Sequence, residues 1–198
     1  AFYISRNSSL SCRNLSVGSA IYNLGKLIIF DNLDYRNDGE FSDYEKYDTV
    51  ANLKKGFSIR NGGKETDRVT DAVIYIGGSN GFTIGGSMQN WGKIYCNGGA
   101  NIQGYYHSDS APAADIAFLN QDGAIAHFGG NIFLNSNAML NAVDATFATD
   151  GNLKFGYALY NCGKFIITGT ITNDEQSNET VNNRSYRDSS STSVRNGS

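Results

Sequence analysis

The chain has 198 residues, a formal net charge of −3, 12% aromatic residues, and 23 glycines against one proline. Glycine does not recur at every third position, which excludes a collagen, and the aromatic content is high enough for a packed core, which argues against a disordered chain. The sequence has no cluster of Lys and Arg and no apolar run near the roughly 18 residues of a bilayer span, so we expect neither a nucleic-acid partner nor membrane insertion.

Three short segments repeat one pattern, Asn-x-Gly-Lys followed by apolar residues: Asn23–Ile28, Asn90–Tyr95 and Asn161–Ile166. Asn and Gly tolerate positive φ, and the β-branched and aromatic residues that follow favour strands, so each copy predicts a turn that leads into a strand. Under this interpretation Gly92 needs positive φ, and its replacement by Val should prevent folding. Repeated short strands predict a β-solenoid, a sandwich or a stack of meanders.

A stretch after the first repeat interrupts the strand pattern and is typical of a helix. Ser42 and Glu45 have the N-cap and third-position roles of a capping box, and Gly56 can end the helix. We therefore predict one short helical insertion over residues 42–55.

The acidic residues just before this helix are similar to a calcium-binding loop of the EF-hand or dockerin kind. In that resemblance Asp34, Asp38 and Glu45 would be oxygen ligands of Ca2+. Arg36 stands where such loops have a third oxygen ligand, so a solvated acidic loop is the preferred interpretation and Ca2+ is the alternative. We expect no other cofactor.

Aromatic and amide side chains are concentrated between Trp91 and Tyr106. Aromatic faces stack on sugar rings, and amides bind sugar hydroxyl groups. We predict a glycan-binding surface there, formed by Trp91, Gln103, Tyr105 and Tyr106. The alternative, which large aromatic residues more often follow, is burial in the core or between coils.

Acids and histidines are the candidates for catalysis, and catalytic acids need defined separations that a sequence does not provide. Asp115, Asp144 and Asp150 each lie beside a turn signal or a run of small residues, where Asp bonds its own backbone, so we favour a structural role for them. The two histidines, His107 and His127, have no metal or triad spacing. His127 is predicted to face solvent from a strand.

The three cysteines, Cys12, Cys96 and Cys162, are an odd number without paired spacing. A disulfide framework is therefore not expected. We predict buried or half-buried thiols within strands.

The last part of the chain differs from the rest in composition. Residues 173–198 carry almost no apolar side chain, as disordered segments do. We predict a β-solenoid domain over residues 1–172, followed by a polar tail that is held by the solenoid, by a neighbouring copy or by a longer chain.

In general character the chain resembles the β-solenoid parts of bacteriophage tail fibres and tailspikes, and secondarily the passenger regions of bacterial autotransporter adhesins. The resemblance rests on the Asn-x-Gly-Lys repeats, on Gly-Gly turns such as Gly98-Gly99 and Gly129-Gly130, and on strands rich in Asn, Ser and Tyr. It covers residues 10–172 and carries over no catalytic or receptor-contact residue. It implies a rigid, often homotrimeric rod that attaches a virion or a cell to a surface glycan or protein.

We therefore expect a mainly β chain wound as a right-handed β-helix or β-solenoid with one helical insertion. Its expected function is non-enzymatic: a receptor-binding or structural element of a tail fibre or spike, on the virion or at the cell surface, acting as a homo-oligomer and most simply as a trimer. Three alternatives stay open, namely an autotransporter-type adhesin, a depolymerase of surface polysaccharide, and a purely structural spacer. An acidic pair facing one groove on adjacent coils would favour the depolymerase.

Overall fold

Short strands separated by turns make up the chain wherever the computed structural model describes it, which is over residues 2–18, 20–35, 57–64, 67–103, 106–108, 111–134, 138–156, 159–173 and 194–196. Three strands and the turns between them make one coil, and the described strands form seven such coils. These ranges contain no helix, and the predicted insertion over 42–55 lies outside them.

The strands follow one another coil by coil. The first three coils contain β1 (Phe2–Ile4), β2 (Ser9–Cys12), β3 (Leu15–Val17); β4 (Ile21–Asn23), β5 (Lys26–Ile29), β6 (Leu33–Tyr35); and β7 (Phe57–Asn61), β8 (Gly63–Lys64), β9 (Asp67–Arg68), β10 (Val73–Ile76), β11 (Phe82–Ile84). The fourth and fifth contain β12 (Ser87–Asn90), β13 (Lys93–Cys96), β14 (Ala100–Ile102), β15 (Tyr106–Ser108), β16 (Ala111–Asn120), β17 (Ile125–Phe128) and β18 (Ile132–Leu134). The last two contain β19 (Ala138–Asn141), β20 (Thr146–Thr149), β21 (Leu153–Phe155), β22 (Leu159–Asn161), β23 (Lys164–Ile167) and β24 (Ile171–Asn173), after which β25 (Val194–Asn196) begins another coil.

Equivalent strands of successive coils pair in parallel and stack into three sheets. The first sheet has the order β1-β4-β7-β12-β16-β19-β22-β25, the second β2-β5-β10-β13-β17-β20-β23, and the third β11-β14-β18-β21-β24, with the pair β3-β6 against its first strand. Two antiparallel hairpins, β8-β9 and β15-β16, extend from this framework. Parallel neighbours lie a whole coil apart in the chain, so the predicted β-solenoid is confirmed and the sandwich and meander alternatives are wrong.

The core is a column of side chains along the solenoid axis. Alternate residues of each strand point inwards and stack on the equivalent residue of the next coil, as Leu27, Ile74 and Ile94 do in the second sheet. Four phenylalanines pack together in the later coils with ring centroids 5.1 to 6.2 Å apart: Phe118, Phe128, Phe147 and Phe165. Each coil therefore buries its apolar side chains mainly against its two neighbours.

A column of asparagines, which we call the asparagine ladder, runs inside the end of the first sheet: Asn23, Asn61, Asn90, Asn120, Asn141 and Asn161. Each Nδ2 donates to the Oδ1 of the next asparagine over 2.7 to 2.9 Å. The same Nδ2 donates to a backbone carbonyl of the next coil at 2.9 to 3.0 Å. The five links run in one direction, so their dipoles align and reinforce one another in the buried interior.

The glycines of the repeat segments are required for a reason other than the predicted one. Gly25, Gly92 and Gly163 do not have positive φ. A Cβ on Gly92 would instead collide with the carbonyl oxygen of Ala72 in the preceding coil. The prediction that Gly92 needs positive φ is therefore wrong, and the close approach of two coils is what excludes a side chain there.

Coil length varies because extra residues enter at particular corners. Successive ladder asparagines are 38, 29, 30, 21 and 20 residues apart. The hairpin β8-β9 lengthens one coil, and elsewhere extra residues stand between β6 and β7, between β14 and β16 and between β24 and β25. These three insertions share the corner between the third and first sheets, which we call the insertion corner. Residues 194–196 of the predicted tail return to the first sheet as β25, beside β22.

Candidate functional site

The three repeat segments bring their lysines to one line on the outside of the second sheet. Lys26, Lys93 and Lys164 each begin a second-sheet strand. Strand register places them in one row, which we call the lysine row and which also contains Ser9, Val73, Ile125 and Thr146. Lys26 and Lys164 are exposed and Lys93 is half-buried, so the row faces solvent.

A second outward row lies two residues further along the same strands, because side chains of a strand return to the same side with a period of two. This aromatic row contains Ser11, Ile28, Tyr75, Tyr95, His127, Ala148 and Ile166. Tyr75 and Tyr95 stand directly opposite each other on neighbouring strands, and both are half-buried. We call the lysine row and the aromatic row together the second-sheet face.

Polar contacts hold the aromatic row in place. Asn97 donates from Nδ2 to the Tyr75 hydroxyl at 3.4 Å and to the Gly77 carbonyl at 3.0 Å. His127 Nε2 lies 3.2 Å from Asp150 Oδ2 on the next coil. The predicted solvent-facing position of His127 is confirmed, since 45% of its side chain is exposed. These contacts limit the conformational freedom that a ligand would otherwise have to remove.

Within the described ranges, the lysines of the lysine row differ from three of the arginines in having no acidic partner. Three arginines each pair with an aspartate: Arg6 with Asp67, Arg13 with Asp31, and Arg68 with Asp122. Among the described residues no carboxylate pairs with Lys26, Lys93 or Lys164. The lysine row therefore places three cations in line on a chain whose formal net charge is −3.

Trp91 and Gln103, the predicted glycan-binding residues whose side chains the structure describes, lie at different corners of the fourth coil. Trp91 is only 3% exposed, and the Arg68 guanidinium lies 4.2 Å from its ring centroid. Its ring is thus covered, as the alternative of burial expects, and offers no open face to a sugar. Gln103 is exposed where β14 ends at the insertion corner. Tyr106 begins β15 near the same corner, its side chain lies outside the described part of the structure, and so does the whole of Tyr105.

The predicted calcium ligands are described only in part. Asp34 is exposed on β6 and accepts a hydrogen bond from the Ser16 hydroxyl at 3.3 Å. Asp38 and Glu45 lie outside the described residues. The described ranges contain no group of three or more His, Cys, Asp or Glu residues that could hold a metal ion. A Ca2+ site at this loop stays a prediction.

The three candidate acids lie on two adjacent coils, with Asp115 on the fifth coil and with Asp144 and Asp150 before and after β20 on the sixth. Asp144 has a φ of 57° in the turn before β20, a conformation that Asp tolerates better than most residues. Asp150 is engaged by His127. Asp115 and His107 lie on strands β16 and β15, but their side chains are outside the described set.

None of the three cysteines forms a disulfide in the described structure, and they lie in different environments. Cys96 is buried, Cys12 is half-buried, and Cys162 is exposed, so the prediction of burial is wrong for Cys162. Burial raises the pKa of the Cys96 thiol to about 11. Cys12 also has a raised pKa, again because of burial.

Tyr95 lies within the aromatic and amide-rich stretch that the sequence indicates, but it was not among the predicted glycan-binding residues, and the surface to which it belongs was missed. Tyr75 is 20 residues away and meets Tyr95 only because two coils stack in register. The repeated lysine was the available signal, because it recurs in all three copies although a turn does not require it.

Comparison with models of known protein families, with curated proteins and with solved structures gave no match. No helix in the described segments has the length and apolar character to cross a bilayer.

Proposed function

We propose that this chain is a non-enzymatic attachment protein that binds a surface glycan through its second-sheet face. The observation that carries the proposal is the register of Tyr75 and Tyr95, which places two outward aromatic side chains on adjacent coils. Aromatic rings beside hydrogen-bonding groups are suited to sugars, whose faces are apolar and whose edges are polar. The Asn97 amide and the lysine row supply the polar groups here.

The architecture suits attachment because it fixes the binding groups along a rod. Neighbouring strands are about 4.8 Å apart, so a polymer that lies along the axis would meet the same outward position once per coil. The asparagine ladder, at the end of the first sheet, links the successive coils from Asn23 to Asn161 by hydrogen bonds. The biological setting that we propose is a phage tail fibre or tailspike on the virion, or an adhesin at a cell surface, acting as a trimer.

The test combines binding with product analysis. The purified chain is titrated with a panel of bacterial surface polysaccharides, its mass is measured by light scattering, and the glycan is sized after incubation. Binding without shortening of the glycan supports the proposal. Release of oligosaccharides would instead establish the depolymerase, and absence of binding across the panel would leave the spacer as the better account.

A pair of variants tests the surface itself. Replacing Tyr95 by Ala should weaken glycan binding about tenfold, the equivalent of about 1.4 kcal/mol, because one stacking surface is lost. The control is Tyr3→Ala, since Tyr3 is 55% exposed on the first sheet, where it stacks on Tyr22. Equal effects of the two variants would show that the second-sheet face is not the binding surface.

A further inference from the structure

The lysine of the repeat segments has no evident role in the fold. The asparagine of each segment enters the ladder, and the glycine permits close approach of two coils, as Asn90 and Gly92 show. The position of Lys93 is different, since neighbouring coils place Val73 and Ile125 there in the same row. Apolar, hydroxyl and cationic side chains all occur at this position, so stability does not demand a charge.

The lysine row also has no ion pair with any carboxylate in the part of the chain that the structure describes. The described arginines that form ion pairs are matched one to one with aspartates, whereas the described part of the structure shows no acidic partner for Lys26, Lys93 or Lys164. A chain with an excess of acidic residues repels polyanions at long range. Unpaired cations aligned on such a chain therefore indicate a local contact with an anion rather than general attraction.

The spacing of the row matches a polymer rather than a small anion. Lys26 and Lys93 are two strands apart, and Lys93 and Lys164 are three strands apart. At about 4.8 Å per strand these separations are roughly 10 and 14 Å along the axis. A small anion would contact one lysine, whereas an extended chain that lies along the axis can contact all three. Tyr75 and Tyr95 stand in the adjacent row, where they can stack on its rings.

We infer that the second-sheet face binds an acidic polysaccharide, whose carboxylate or sulfate groups pair with the lysine row while its sugar rings lie on Tyr75 and Tyr95. This inference rests on the proposed function, for which it names the class of glycan. A neutral glycan would gain nothing from the lysines.

The experiment measures binding of three soluble probes by titration calorimetry: polygalacturonate as a carboxylated glycan, dextran sulfate as a sulfated one, and dextran as a neutral one. The variants are Lys93→Gln, the triple variant K26Q/K93Q/K164Q, and Lys154→Gln as the control. Lys154 lies on β21 of the third sheet, so K154Q removes the same charge as K93Q from a different face. Thermal melting of each variant checks that the fold is intact.

We expect the wild-type chain to bind at least one acidic probe and to bind dextran at least tenfold more weakly. The triple variant should lose about tenfold in affinity for the acidic probe, and K93Q about twofold, while K154Q binds as the wild type does. Raising the salt concentration to 1 M should weaken wild-type binding, because the Debye length falls to about 3 Å. The two acidic probes show which anionic group is preferred.

The contrary results separate the two proposals. Equal binding of dextran and the acidic probes, unaffected by K93Q, would overturn the acidic glycan and leave glycan attachment in place. Failure to bind any glycan would overturn the attachment function together with this inference. Double-stranded DNA is titrated as a further, non-glycan polyanion, and equally tight binding of DNA that is lost in the triple variant would overturn the glycan as the ligand class. If the triple variant does not fold, the comparison of K93Q with K154Q decides the question.

Discussion

The side-chain amide of Asn90 connects three consecutive coils. Its Oδ1 accepts from Asn61 and from the Gly92 amide, and its Nδ2 donates to Asn120 and to the Ile125 carbonyl. The Asn90 side chain therefore links neighbouring coils by hydrogen bonds, as the backbone N–H and C=O groups of paired strands do. Its loss would leave the donors and acceptors of two neighbours without partners.

Replacing Asn90 by Ala should lower the free energy of unfolding by about 2–3 kcal/mol, because buried polar groups of the adjoining coils lose their hydrogen bonds. Denaturant titration followed by circular dichroism measures the change. The control is Asn101→Ala, since Asn101 is a half-buried outward residue of β14, where the expected change is below about 0.5 kcal/mol. Equal losses in the two variants would mean that the hydrogen bonds of the asparagine ladder add nothing to the free energy of unfolding beyond what an ordinary surface asparagine adds.

Cys96 should resist alkylation at a pH where Cys162 reacts. Burial disfavours the thiolate and raises the Cys96 pKa to about 11, so at pH 8 the reactive thiolate fraction is on the order of 0.001. Iodoacetamide labelling followed by peptide mass spectrometry gives both rates, with exposed Cys162 as the internal reference. Because the folded pKa lies above the ordinary value of 9.0, the contribution of Cys96 to stability is full below about pH 9 and is lost as the pH rises towards 11. Comparable labelling rates of Cys96 and Cys162 would contradict the predicted difference in their reactivity.

At the scale of single residues, the sequence shows that Asn90 and Gly92 are structurally important but does not show which contacts make them so. Asn90 and Gly92 stand out as members of a repeat, and the turn into a strand was predicted correctly. Three other ladder members, Asn61, Asn120 and Asn141, precede unlike turns and lie at unequal spacings, so no repeat reveals them. Their common role follows from stacking of coils, which is a non-local property.

Among the elements, the turns between the first and second sheets show two different demands on glycine. Gly92 has ordinary φ but no room, whereas Gly123 has a φ of +71° with no atom within 4 Å of the Cβ position. Packing and backbone conformation can therefore be separated by making one substitution at both sites.

Replacing Gly92 by Ala should cost about 3 kcal/mol, because the new methyl group meets a rigid carbonyl of the neighbouring coil. The matched variant Gly123→Ala should cost only about 1 kcal/mol, the strain of positive φ at a non-glycine residue. Denaturant unfolding of both variants gives the order of the two effects. The reverse order would show that coil packing relaxes easily at Gly92 and that backbone strain dominates.

Insertions explain which elements the sequence could not predict. The strands themselves follow from short apolar runs between turn residues, but that pattern left a solenoid, a sandwich and a stack of meanders open, and the resemblance to tail fibres and tailspikes favoured the solenoid. The surroundings of Trp91 were not predictable, because Arg68 comes from the hairpin β8-β9, which only the third coil contains. A residue from a non-repeating hairpin thus decides whether an aromatic side chain is a surface or a core residue.

The whole molecule behaves as a one-dimensional stack, in which each coil is stabilised by the coil on either side. Insertions at the insertion corner can vary in length without disturbing the second sheet, whose strands remain in register from β2 to β23. The second-sheet face is therefore the part of the surface that the insertions leave regular. A polymer ligand needs such regularity along the axis.

Stability should decline towards the C-terminal end of the second and third sheets, where β23 and β24 are the last strands that the structure describes. Ile171 of β24 is in register with Leu153, yet Ile171 is 46% exposed and Leu153 is 0% exposed. A strand with a neighbour on one side only opens at lower free energy than a strand between two neighbours. Hydrogen exchange measured by mass spectrometry should therefore show β23 and β24 exchanging at least about tenfold faster than β13 and β17, a difference of about 1.4 kcal/mol. Equal protection of both pairs of strands in the dilute protein would contradict this nearest-neighbour account. Protection of β24 that rises with protein concentration would show that a second copy covers the end of the solenoid.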